Sequence, residues 1–138
     1  MFEPDVHRAI EIHKKVIEKT EGKKLNFIRG KDGWNLLDSA LNSAFASFGE
    51  KEVYPTPFKK ALRVLVGIIK NHPFVDGNKR TAFVVFKEIL REHRFTVTGY
   101  SKEDVVKLLE QLAAFQKDIE ELIEIAEKFF KPYLKEIM

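Results

Sequence analysis

The stretch HPFVDGNKRTA, His72 to Ala82, interrupts two apolar runs: ALRVLVGIIKN from Ala61 to Asn71 before it, and FVVFKEIL from Phe83 to Leu90 after it. Its reading decides the fold. Phe58 to Asn71 is apolar on nearly every face, the pattern of a buried central helix. Pro73 disfavours the α conformation at His72, so that helix can run to Asn71. Helical spacing resumes from about Asn78 and continues to about His93. Gly77, just before it, permits a tight turn and a close backbone approach by a ligand. The centre of the chain is therefore expected to be a helix–loop–helix whose loop is held between two buried helices.

Helical periodicity extends outward in both directions. Val6, Ile10, His13 and Ile17 share one face of a first helix that should end near Gly22. Leu25 to Gly33 mixes apolar residues with two glycines and reads as a loop or a short hairpin. Trp34 to Phe48 is a helix through Leu37, Leu41 and Phe45, and Gly49 to Pro57 is a connector. HRFTVTGY, from His93, is a short turn or strand. Ser101 with Asp104 marks a helix start that carries on to about Phe115, Asp118 caps a last helix, and Pro132 stops it. The expectation is an all-α domain with one small hairpin at most.

The 138 residues with 44% hydrophobic content suit one domain spanning 1–138 around one core. The formal net charge is only +3 with both signs mixed, so a nucleic-acid partner is not expected. The chain has no cysteine, which excludes disulfides, zinc–thiolate sites and thiol catalysis and favours a cytoplasmic setting. The N-terminal MFEPDVHRAIEIHKK is acidic and amphipathic, unlike a secretory leader. No apolar run approaches the roughly 20 residues of a membrane helix.

The central motif has a chemistry of its own. The first amides of a helix beginning at Asn78 lack intrahelical partners and, with the macrodipole, form an anion site. Asn78 adds a side-chain amide, and Lys79 and Arg80 add two cations, which makes a phosphate cradle. Asp76 at its mouth would be unfavourable beside phosphate without a cation, and Mg²⁺ commonly binds through one or two carboxylates plus phosphate oxygens. His72 can act as a general base near neutral pH. Together these groups suggest phosphoryl or nucleotidyl transfer to a hydroxyl. On composition alone an ordinary interhelical turn with solvated cations fits as well.

HPFVDGNKR resembles the signature of the Fic/Doc family, and every fixed position of that signature is matched. DSALNSAF near Asp38 and YPTPFKKALRVLVGIIKNHPFVDGNKRTAF from Tyr54 are similar to the shorter, Doc-like (death-on-curing) members. The resemblance implies the helical Fic/Doc fold, and ATP with Mg²⁺ as substrate and cofactor. It implies that His72 deprotonates a target hydroxyl, Phe74 anchors the loop in the core and Asp76 binds Mg²⁺. It further implies that Gly77, Asn78 and Lys79 form the anion hole and that Arg80 contacts phosphate. Leu25 to Gly33, with Phe27, Ile28, Arg29 and Gly30 at its centre, would be the flap that clamps an extended target segment by strand-like pairing.

Lys79 stands where AMP-transferring members usually have glycine. The Doc subgroup, which has lysine there, transfers the γ-phosphate of ATP to elongation factor Tu. The resemblance thus implies a Doc-like kinase toxin acting on the translation machinery. AMP transfer is the alternative, which Pro73 and Gly77 fit better, and a catalytically silent Fic-fold binding module is the rival of a different class. No inhibitory helix is recognisable in the chain, so a separate antitoxin is the implied partner.

The remaining residues read as structural. His7 and His13 lie about 240° apart around a helix axis and cannot share a metal. They and His93 are expected in structural roles. Trp34, Phe45 and Phe48 are expected in the core, Phe129 and Tyr133 are expected to dock the tail, and Lys14, Lys15, Lys19, Lys23 and Lys24 to form a solvated face.

Overall fold

The computed structural model describes residues 5–19 and 28–137. Six helices are present among them: α1 (Val6–Lys19), α2 (Gly30–Ser43), α3 (Pro57–Asn71), α4 (Asn78–Glu92), α5 (Lys102–Ala114) and α6 (Ile119–Phe130). Two short antiparallel pairs complete the fold: β1 (Ser47–Phe48) with β2 (Lys51–Glu52), and β3 (Phe95–Val97) with β4 (Leu134–Glu136). The architecture is all-α, as expected.

Helix α3 is the axis of the core. Ala61, Leu62, Val64, Leu65, Val66, Ile68 and Ile69 are all buried on it, which leaves it almost no solvent face. It packs against α4, α2, α6 and α5, while α1 lies across α4 and α2. Each fully buried aliphatic side chain stabilises the fold by about 1.5–3 kcal/mol, so this helix alone carries a large share of the burial term. Local signals set its ends. Thr56 caps the N-terminus by accepting the Lys59 amide at 3.1 Å, with Pro57 in the first position. Ser101 and Asp118 cap α5 and α6 in the same way, at the two starts expected from the sequence.

The structure departs from the sequence reading in the second helix and at the C-terminus. Helix α2 starts at Gly30 rather than Trp34 and ends at Ser43, and the segment expected to finish it turns into the β1–β2 pair. Phe48 is consequently 87% exposed and Trp34 37% exposed, so neither is a core residue; Phe45 packs at the core's edge. The apolar spacing of Leu37 and Leu41 was a true signal, and both are buried. Trp34 instead makes a T-shaped contact with the His7 ring, with centroids 5.2 Å apart. Strand β4 had no sequence signal. It forms because Pro132 ends the helical tail in a single 3₁₀ turn and leaves the chain extended beside Phe95–Val97. Phe129 and Tyr133 dock the tail as expected, their rings 5.7 Å apart, with Tyr133 against Tyr100.

Among the described residues Lys60 is the most heavily buried lysine or arginine, essentially without exposed surface. Its ammonium donates to the Tyr54 carbonyl, pairs with Glu52 at 3.4 Å and lies 5.7 Å from the centre of the Phe45 ring. Lys14, Lys15 and Lys19 are exposed, as expected, and Lys23 and Lys24 lie outside the described residues. No helix among the described residues is long and apolar enough to cross a membrane.

Candidate active site

The loop between α3 and α4 is fixed from three sides. From above, α3 ends on His72, which adopts the left-handed conformation (φ 52°, ψ 55°) and keeps its amide bonded to Ile68 O at 3.0 Å. Proline at the next position disfavours the helical alternative. The turn therefore throws the His72 side chain out of the helix path and into solvent.

From within, Asn78 closes the loop on itself. Its Oδ1 accepts the Phe74 amide at 3.0 Å and its Nδ2 donates to the Phe74 carbonyl at 2.9 Å. Both residues are buried. This corrects one expectation: the Asn78 amide is not offered to an anion, because both its functional ends serve the Phe74 backbone. What Asn78 could still offer a ligand would be its own backbone N–H, at the first position of α4. Phe74 is the anchor that was expected, with 0% exposure.

From below, α1 supplies His13. Its ring lies flat on Phe74, with centroids 3.8 Å apart and planes 4° from parallel. Its Nε2 donates to the Asp76 carbonyl at 2.7 Å, which leaves Nδ1 as a buried lone pair without a partner. Burial pushes the His13 pKa down, and the Asp76 carbonyl opposes that only in part. Gly77, in the left-handed conformation at φ 79°, passes so near that an added Cβ would sit 2.9 Å from Ile17 Cδ1. His13 is structural, as expected from a histidine on an apolar helix face, but its object is the motif loop rather than the general core.

Four groups are left facing outward. Asp76 is exposed, with Oδ1 taking the Gly77 amide at 2.8 Å. Lys79 and Arg80 are exposed on the first turn of α4, and neither forms an ion pair among the described residues. Gly77, the residue before α4, has no side chain to cap it, so the first amides of the helix lack a partner from that position. His72 completes the set.

The segment expected as a target flap behaves differently. Phe27 lies outside the described residues. Ile28 pairs with Phe74 of the motif, and the Arg29 amide donates to the Pro73 carbonyl at 3.0 Å. Gly30 N donates to Ile28 O and Gly33 N to Arg29 O as α2 begins. The strand-like pairing was anticipated, but its partner is this chain's own motif. Arg29 then reaches His72, with Nη2 3.0 Å from Nδ1.

A sequence profile described as the Fic/DOC family matches residues 3–90, more than half of the chain. The chain belongs to the Fic/DOC family. The matched range takes in α1, α2, α3 and most of α4, and hence His13, Arg29 and the whole motif. Toxin Doc of Mycolicibacterium smegmatis is 40% identical over 50 residues, which make up 36% of this chain and 38% of that protein. The aligned stretch thus spans well under half of that relative's length. No solved structure matches. Within the Fic/DOC family the chain is a Doc-like member.

The outward groups fit a magnesium-bound nucleotide. Asp76 offers a hard carboxylate oxygen at the mouth of an amide-and-cation cradle, which is the ligand type Mg²⁺ takes. Among the described residues there is no cluster of three or more acidic, histidine or cysteine side chains that could hold a metal alone. The other ligands would come from phosphate oxygens and water, as is usual for this ion.

Two contributors escaped sequence reasoning. Gly33 was read as an ordinary loop glycine, yet a Cβ there would lie 2.6 Å from the Pro73 carbonyl oxygen, so its absence lets α2 dock on the motif. The contact of Arg29 with His72 depends on that docking and had no signal in sequence spacing.

Proposed function

We propose that this protein is a Doc-like toxin that transfers the γ-phosphoryl group of ATP to a hydroxyl of a target protein, elongation factor Tu by family resemblance. The observation that carries the reading is Lys79. It occupies the second position of α4, exposed at an uncapped helix end, where a glycine would leave space for further phosphates. A long cation there favours a donor that presents its terminal phosphate to the base.

In this reading the α4 amides, Lys79 and Arg80 hold the phosphates, and their fixed positive charge offsets what develops on the transferred group. Asp76 would hold Mg²⁺, which neutralises phosphate charge when bound. His72 takes the proton of the target hydroxyl. Its placement on a rigid helix end, with the loop tied by Asn78 and His13, supports accurate orientation of the acceptor. A separate antitoxin is the partner that would restrain the activity.

The test uses two labels. The protein is incubated with Mg²⁺ and a translation extract, once with γ-labelled and once with α-labelled ATP, alongside His72→Ala. Label from the γ position alone, lost in the variant, is expected. Label from the α position would make the protein an AMP transferase and refute the role given to Lys79. An effect on translation that survives His72→Ala, with no label, would point to a binding module.

A further inference from the structure

We infer that Arg29 is a cap on the general base, and that it releases the base by moving to the phosphates of the donor nucleotide. The inference rests on the transfer reading above and concerns the regulation of the same site.

A guanidinium has only donors. The contact between Arg29 Nη2 and His72 Nδ1 at 3.0 Å therefore makes Nδ1 the acceptor. A neutral imidazole has one lone pair, and here it is occupied; the ring proton must sit on Nε2. In this arrangement His72 can donate a hydrogen bond but cannot take a proton from a hydroxyl. Contact with Arg29 and proton uptake exclude each other.

The geometry is not that of a chance surface encounter. The Arg29 backbone is docked beside the motif by its amide on Pro73 O, by the adjacent Ile28–Phe74 bridge and by its carbonyl under Gly33 N. Only the side chain is at liberty. No carboxylate among the described residues competes for it. The contact is exposed, so opening it has a small energetic barrier to overcome.

The competitor that would open it is a phosphate. Guanidinium–phosphate bonds join two opposite full charges and can be bidentate, whereas the bond to His72 is a single one to a neutral acceptor. A nucleotide seated on α4 with its terminal phosphate near His72 brings that competitor within reach of Arg29. Arg29 then contributes positive charge to the transferred group, and the Nδ1 lone pair is exposed in the same movement. The step that follows balances. His72 takes the hydroxyl proton, and the hydroxyl oxygen forms a bond to the γ-phosphorus. The bond from that phosphorus to its bridging oxygen breaks, and ADP leaves with the electron pair. The consequence is an order: the donor must load before the target hydroxyl can be activated.

Diethyl pyrocarbonate, which acylates a free imidazole lone pair, reads the cap on the protein alone. His7, also exposed, serves as the internal reference by peptide mass spectrometry. The ratio of His72 to His7 acylation should rise several-fold in Arg29→Ala, with an unchanged thermal melt. Affinity for ATP with Mg²⁺, by calorimetry, should fall about tenfold or more in the same variant, and less in Arg29→Lys. An unchanged acylation ratio overturns the cap. A raised ratio with unchanged ATP affinity overturns the handover to phosphate. If both shifts occur and the wild type transfers no label from ATP, the transfer reading fails while the cap and its release by nucleotide stand.

Discussion

Replacing Asn78 tests whether its side chain closes the loop or, as the sequence suggested, faces an anion. Its side chain makes two hydrogen bonds, 3.0 Å and 2.9 Å long, to the amide and carbonyl of a residue with no solvent exposure. Asn78→Ala would leave that amide and carbonyl without partners. Each buried unsatisfied group costs about 1–3 kcal/mol, so with two of them the variant should lose about 2–6 kcal/mol. Against a typical total of about 5–15 kcal/mol, that is a large fraction. For a chain of this size it corresponds to a fall in Tm of roughly 7–20 °C. Asn78→Asp can still accept the Phe74 amide but turns a second oxygen toward the Phe74 carbonyl, so it should lose at least as much at neutral pH. Urea unfolding followed by circular dichroism, with the m-value held as a check on the two-state treatment, gives the number. A change below about 0.5 kcal/mol, together with loss of transfer activity, would refute the reasoning. It would mean that the amide faces the ligand after all.

Burial lowers the His13 pKa from its ordinary 6.5, so the folded protein keeps this imidazole neutral where the unfolded chain would protonate it. The unfolded state then binds more protons, and stability should decline as pH falls below 6.5; above that value the group contributes nothing. Urea midpoints at about pH 7.5 and about pH 5.5 measure the decline, and His13→Leu should remove this part of it. Gly33→Ala places a Cβ 2.6 Å from the Pro73 carbonyl oxygen, a backbone atom that cannot move aside cheaply. It should destabilise by about 1–3 kcal/mol in thermal melts and loosen the docking of Arg29 on the motif. Lys59 and Lys60 are neighbours with opposite expectations. Lys59→Ala breaks a half-exposed pair with Glu127 and should change stability by about 0–1 kcal/mol. Lys60→Ala empties a buried site and orphans the Tyr54 carbonyl, and should cost about 2–4 kcal/mol. Equal values for the two would contradict the burial of Lys60.

Much of this was legible because the relevant signals are local. The apolar run to Asn71, the proline after His72 and the glycine before Asn78 place two helices and a loop with no knowledge of what surrounds them. Ser101 and Asp118 mark helix starts for the same reason. The illegible parts depend on what packs against what. Trp34 and Phe48 looked like core residues because they are large and apolar, but the backbone leaves the helix at Ser43 and carries Phe48 outward. The role of Asn78 could not be read from residue type, since an amide suits a phosphate and a peptide group equally. Its burial decides. Gly33 and Arg29 act across the turn between α2 and the motif, through contacts between residues some forty positions apart in the chain.

The left-handed backbone of His72 carries one more consequence. Glycine would hold that conformation with no steric penalty, whereas a residue with a Cβ gives up about 1–2 kcal/mol to hold it. The fold is therefore short of its own optimum at the residue given the chemistry. His72→Gly should melt later than the wild type while losing all transfer. A trade of stability for activity at one residue can be detected with a melting curve, before any substrate is known.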